Sequence, residues 1–147
     1  MAQGTTNLVH KDTGDGTIVI FPWAYSSITA GTWVASVSAS YNFNGFYYNS
    51  SNAINDQIDY KAYLTKGVWS TTLIVPNVGN MGKVHLLLDS DTQSVLEPHT
   101  IGSLVIGFPN ALYVPTTGLH TLSFLCKMGY GGYSYFYSQF IVLKRAN

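Results

Sequence analysis

The chain has 147 residues, seven Lys and Arg, seven Asp and Glu and a formal net charge of zero, with 10% charged and 14% aromatic residues. Seven scattered bases, of which only Lys144 and Arg145 are adjacent, exclude a duplex or RNA binder that works by displacing phosphate counterions. No apolar run approaches a membrane span, and the length is that of one domain able to bury a core without staples.

The segment 1–16 is polar and turn-rich, with Asp12, Gly14, Asp15 and Gly16, and reads as an N-terminal arm to a sandwich domain over 17–147. Its start carries no basic or apolar signal region, so synthesis in a host cytoplasm is expected. Leu8 and Val9 are its candidate anchor on a partner. Residues 17–23 form the first expected strand. Over 32–41 the alternation is cleanest, with Trp33, Ala35, Val37, Ala39 and Tyr41 on one face and Ser36, Ser38 and Ser40 on the other. The segment 41–55 is rich in Asn, Ser, Tyr and Phe without clear period, and reads as a loop with a short strand over 46–48.

Residues 57–64 alternate through Ile58, Tyr60, Ala62 and Leu64, and Lys66-Gly67 turns the chain into 68–75. This predicts a hairpin. Further strands are expected over 83–88, after which Asp89-Ser-Asp91 makes a turn, then over 94–96, 100–108 and 118–126. Cys126, the single cysteine, alternates with Leu122 and Phe124 and reads as a small buried hydrophobe. Gly129, Gly131 and Gly132 turn the chain into Tyr133-Ser-Tyr-Phe-Tyr-Ser-Gln-Phe-Ile-Val-Leu-Lys144, a twelve-residue strand with apolar side chains on both faces. Many short strands divided by turn signals predict an all-β, antiparallel two-sheet jelly-roll sandwich of about eight strands. Its core is expected to include Trp33, Val37, Ile58, Tyr60, Leu73, Leu86, Leu122 and Phe124.

Asn49-Ser-Ser-Asn52, Asp56, Ile58-Asp-Tyr-Lys61, Tyr63-Leu64 and the Gly67 turn, followed by Thr116-Thr-Gly-Leu-His-Thr-Leu122 and a Gly-Tyr strand, resemble jelly-roll modules of phage minor structural, tail-associated and capsid decoration proteins. The resemblance spans 41–147. It implies a virion structural protein, in a capsid or a tail fibre, that acts by non-covalent assembly with other virion proteins and is located in the virion. Low charge gives weak colloidal repulsion, which fits a surface consumed in an assembly. A homo-oligomer, with a trimer favoured, is expected to use Tyr133, Tyr135, Phe136 and Phe140 at its interface.

Catalytic chemistry has little support in the residue pattern. A pair such as Asp56 with Asp89 could serve a glycosidase, but each lies beside turn residues where Asp bonds the backbone. His10, His85, His99 and His120 lack metal-ligand spacing, and His120 reads as structural. Asn55-Asp56 and Asp89-Ser-Asp91 offer oxygens of the kind calcium takes, yet such turns are common without a metal. No enzyme activity, cofactor or metal is expected. The alternative function is a carbohydrate-binding module for a cell-surface glycan, in which Tyr41, Phe43, Phe46, Tyr47 and Tyr48 stack sugar rings while neighbouring amides bond hydroxyls. The simpler reading of the same residues is packing, sealing one end of the sandwich or a subunit or other partner contact.

Overall fold

The computed structural model describes residues 9–12, 14–38, 43–75, 81–97 and 105–146. In chain order the strands are β1 (Val9–Lys11), β2 (Thr17–Ile20), β3 (Ser27–Ala30), β4 (Trp33–Ser38), β5 (Phe43–Asn49), β6 (Gln57–Leu64), β7 (Gly67–Ile74), β8 (Lys83–Leu88), β9 (Asp91–Leu96), β10 (Val105–Gly107), β11 (Leu112–Val114), β12 (Gly118–Lys127), β13 (Tyr137–Ser138) and β14 (Phe140–Arg145). The first sheet runs β1-β6-β12-β8-β9, with β3 also on β6. The second runs β10-β7-β14-β2, with β11 also on β7. A third, β13-β5-β4, extends from the sandwich. This is the antiparallel jelly roll expected, with more and shorter strands and one parallel pair, β1 on β6.

The period of two is kept where both faces of a strand meet different solvents. Ile58, Tyr60, Ala62 and Leu64 of β6 point inward, against Trp69 and Leu73 of β7 from the other sheet, and all six are fully buried or nearly so. An aromatic spine crosses this core, with Phe124 stacked on Phe136 at 5.2 Å and Tyr60 edge-on to Phe124 at 5.9 Å. Leu122 has no exposed surface. Leu122→Ala should cost about 2–5 kcal/mol, and an unfolding free energy from urea titration within about 1 kcal/mol of wild type would show that the sandwich relaxes around that position.

The expected hairpin over 57–75 does not form. β6 pairs with β12 and β7 with β14, so Thr65 and Lys66 carry the chain from one sheet to the other. Trp69 Nε1 donates to Thr65 O at 3.0 Å and fixes this corner. Local turn chemistry is the same for a hairpin and for such a corner; the choice falls to whichever partner strands complete each sheet. By contrast β8 and β9 do form a tight hairpin, Leu88 opposite Asp91, with Asp89 at φ 48° and Ser90 at φ 75°, the twist that suits a two-residue turn.

Three other expectations are corrected. The C-terminal run is not one strand, for after residue 132 it gives a single bridge at Tyr135, then β13, then β14 in a different sheet. Its inward phase changes where Tyr137 and Ser138 are both buried, so Phe136 and Ile141 can each reach the core. Among the described side chains of β4, an edge strand, Trp33 is buried, Val34 half-buried and Ala35 exposed. Val37's side chain lies outside the described residues. Finally, the arm is in part a strand of the sandwich: β1, with Val9, lies alongside Lys61–Tyr63 in the chain's own sheet, and His10 Nε2 bonds Ala24 O at 2.9 Å. Asp12 accepts from the N–H of Gly14 and Gly16 and closes the turn into β2. Leu8 lies outside the described residues.

Candidate functional site

Four tyrosines from two distant parts of the chain meet at one end of the sandwich. Tyr48 of β5 stacks on Tyr137 of β13 with ring centroids 5.1 Å apart and planes at 17°. Tyr135 lies 5.4 Å from Tyr137 and 6.0 Å from Tyr48, and Tyr133 extends the row at 6.2 Å from Tyr135. Tyr137 is buried beneath, Tyr48 and Tyr135 are half-buried, and Tyr133 is 40% exposed. The row is therefore anchored at its base and open at its rim, a broad aromatic surface.

The backbone under these rings is held from both sides. Gly82 N donates to Tyr135 O at 2.8 Å and Gly129 N to Tyr133 O at 2.9 Å. The chain passes so close that a Cβ on Gly82 would sit 2.3 Å from Tyr133 O; a side chain there would push the tyrosine segment off β8. From the other side, Asn49 spends its whole amide on the structure. Its Nδ2 donates to Asp56 Oδ2 and to Ser134 O, both at 2.9 Å, and its Oδ1 accepts Phe136 N–H at 2.7 Å. Asn52 Oδ1 accepts Ser134 N–H at 2.8 Å. Asp56 also takes Ser51 Oγ and Ala53 N. β5, the 49–56 loop and the 133–137 segment are thus one hydrogen-bonded unit that presents Tyr48 and Tyr135 side by side.

The carboxylates weighed for catalysis are engaged elsewhere. Asp56 O accepts from Cys126 N, whereas Asp89 N donates to Thr121 O. Those β12 partners are five residues apart, about 17 Å at the rise of a strand, too far for a glycosidase pair. Asp59, buried, gathers Ser27, Thr29, Gln57 and Ser123. Among the described residues no group of three or more His, Cys, Asp or Glu is arranged to hold a metal. Cys126 is buried, and burial, with Asp56 nearby, pushes its thiol well up, so it packs rather than reacts.

His120 joins the opposite end. Its Nδ1 lies 2.6 Å from Asp89 Oδ2 and its Nε2 2.7 Å from Thr116 O. A carboxylate and a carbonyl both take a donor, so this pair of contacts favours the doubly protonated imidazolium. Burial opposes that charge, but the bonds to Asp89 and Thr116 and the Asp89 charge outweigh it and raise the pKa above 6.5. For Asp89, burial likewise opposes the charge, and the Thr121 N–H and His120 prevail to lower the pKa below 3.8. The stabilisation from His120 is therefore complete below pH 6.5 and lost as pH rises through its higher folded value. That from Asp89 is complete above pH 3.8 and lost as pH falls through its lower one. The melting-temperature advantage of wild type over His120→Gln should shrink steadily above pH 6.5. An advantage unchanged up to pH 9 would mean the clamp is neutral.

No family model and no curated protein matches the chain. Solved structures do match in fold. The CBM36-1 domain of a multidomain xylanase from the hindgut metagenome of Trinervitermes trinervoides superposes with a TM-score of 0.67 at 16% identity, over 89% of this chain and 98% of that one. The C-terminal CBM6 of LamC, a laminarinase from Zobellia galactanivorans, gives 0.65 at 12% over 88% and 99%. A family 35 carbohydrate-binding module from Clostridium thermocellum gives 0.63 at 10% over 88% and 98%. The chain has the fold of solved carbohydrate-binding modules. These three matching structures are carbohydrate-binding modules, which corrects the expectation of a virion structural protein in a capsid or tail and agrees better with the glycan alternative.

The residues picked from sequence divide accordingly. Tyr48, chosen for a glycan, and Tyr133 and Tyr135, chosen for an oligomer contact, belong to one surface. Tyr47 is buried, its hydroxyl donating to Trp33 O at 3.3 Å, and desolvation beside Tyr25 pushes its pKa far up; it is core. Phe136 is 1% exposed on the aromatic spine and is corrected from interface to core. Phe140 joins a second group, 5.5 Å from Phe21, which stacks on Trp23 at 5.0 Å. Tyr41 and the side chains of Phe43 and Phe46 lie outside the described residues. Tyr137 was placed in sequence only as part of a strand; its neighbour spacing with Tyr133 and Tyr135 was visible there, but its pairing with Tyr48 was not.

Proposed function

We propose that the protein is a glycan-recognition module that binds carbohydrate without transforming it, through the surface of Tyr48, Tyr133 and Tyr135 backed by the buried Tyr137. The observation that carries this reading is the continuous row of rings, half-buried and pinned by the Asn49 network. A pyranose presents one face of C–H groups to an aromatic ring and a rim of hydroxyls to polar atoms, and the exposed part of the row offers aromatic surface of that kind. The fold shared with carbohydrate-binding modules supports the same reading. So does a match at TM-score 0.62 to 28% of a GH26-CBM35 mannanase from Podospora anserina, in which such a module accompanies a catalytic domain.

Affinity electrophoresis of the purified chain through gels containing xylan, β-1,4-mannan, laminarin or xanthan tests it. Retardation by at least one polymer, lost in a Tyr48→Ala/Tyr135→Ala double variant that keeps the wild-type melting temperature, is the expected outcome. Mobility equal to that of an inert control in every gel, or retardation that survives the double variant, would overturn it.

A further inference from the structure

We propose that the protein carries a second saccharide-binding site, centred on Tyr113, at the end of the sandwich opposite the tyrosine row. In β11, Leu112 and Val114 are buried and Tyr113 points outward, 62% exposed, the most exposed of the large hydrophobic side chains among the described residues. Its ring lines an open groove of about 400 Å³ with Lys66, Gly67, Asp89, Asp91 and Gln93, within the range of small-ligand pockets.

The groove exists because two sheet edges meet there without forming a ladder. β9 ends the first sheet and β11 lies on the flank of the second, and they are joined by a side chain, Gln93 Oε1 accepting Tyr113 N–H at 3.3 Å. The walls are set before any ligand arrives. His120 ties Asp89 to Thr116, which locks the β8–β9 turn to the segment that follows β11, and Lys66 N donates to Thr117 Oγ1 at 2.9 Å, fixing the β6–β7 corner to the same segment. Preorganised walls reduce the ordering cost of binding.

The residues define the ligand class. An exposed phenol ring offers a stacking face, the Asp91 carboxylate accepts from hydroxyls, and the Lys66 ammonium donates to them, while Gly67 contributes no side chain and leaves the floor open. A phosphorylated ligand would meet Asp89 and Asp91 as like charges. A neutral pyranose meets complementary groups on both face and rim. Gly82, which bonds the tyrosine row, and Asp89 on the groove are seven residues apart along β8, about 24 Å at the strand rise, so the two sites occupy separate ends and one glycan unit cannot fill both. The Tyr113 site rests on its own geometry and stands whether or not the tyrosine row binds sugar.

Amide NMR titrations of the full chain with xylohexaose, mannohexaose and laminarihexaose, each up to millimolar concentration, separate the sites. For at least one hexaose, the amides of Lys66, Gly67, Gln93 and Tyr113 should shift along one saturating curve. Tyr113→Ala, whose solvent-facing side chain can be removed without opening the core, should weaken that curve at least tenfold and leave any shifts at Tyr133 and Tyr135 unchanged. Lys66→Met should weaken it as well. Absence of saturable shifts at the groove amides with all three hexaoses overturns the second site, as does a groove curve untouched by Tyr113→Ala. Shifts confined to the groove would sustain the second site and count against the tyrosine row alone.

Discussion

Tyr135→Ala is expected to weaken glycan binding by ten- to a hundredfold, about 1.4–2.8 kcal/mol, without unfolding the protein. Tyr135 is the hub of the row, within 6.2 Å of each of the three other rings. Removing it takes away one stacking face, worth about 0.5–1.5 kcal/mol beyond its buried area. It also leaves Tyr133 without the neighbour that holds its plane, so a second face is lost in part. Because Tyr135 is half-buried at the rim, stability should fall far less than affinity does. Calorimetry on a polymer retained by the wild type measures this, with thermal melts in parallel. Tyr135→Phe, which keeps the ring and removes the hydroxyl, should recover most of the affinity; equal losses in Ala and Phe variants would place the interaction in the phenol oxygen and not in the ring.

Asn49→Ala should be among the most damaging single substitutions in the protein, at about 3–5 kcal/mol. Truncation strands three partners at once, Asp56 Oδ2, Ser134 O and Phe136 N, around a fully buried position. Each buried group left unpaired costs about 1–3 kcal/mol, and Asp56 keeps two of its donors, so the loss falls below the simple sum. Urea unfolding gives the stability. A companion binding measurement at a temperature where the variant remains folded should show weaker affinity too, because the same amide places residues 134–136 under the rings. A loss below 1 kcal/mol would mean that water replaces the amide and that the 133–137 segment is held mainly by Phe136 packing.

What the sequence made legible was whatever depends on alternation within one strand. Ile58, Tyr60, Leu122 and Phe124 are inward as their phase required, and the Asp89–Ser90 turn sits where its residues favour it. Choices between partner strands were not legible. Lys66-Gly67 suits a hairpin or a corner equally, and only β12 and β14, more than fifty residues further on, decide it. The tyrosine surface failed to appear for the same reason. Tyr48 and Tyr135 are distant in sequence, and what joins them is Asn49, which in a stretch of Asn and Ser looks like loop composition. Tyr47 and Tyr48 are adjacent and identical, yet one supports the core and the other the surface; their local pattern is irregular, so no period distinguished them. Phe136 reads as exposed or buried with equal ease, and a break in phase two residues later settles it.

The position of β14 in its sheet has a consequence for how the chain acquires its structure. β14 is central, with β7 on one side and β2 on the other, although among the described strands it comes latest in sequence and β2 near the start. Until residue 145 emerges, β2 and one edge of β7 lack the strand that completes their ladders, and their backbone N–H and C=O groups on that side wait unpaired. Closure then pairs Ile20 with Ile141, more than a hundred residues apart, the kind of distant contact that makes folding slow. Refolding from denaturant should accordingly be dominated by a step in which the C-terminal strand inserts, and a nascent chain halted before residue 140 should be a substrate for chaperones.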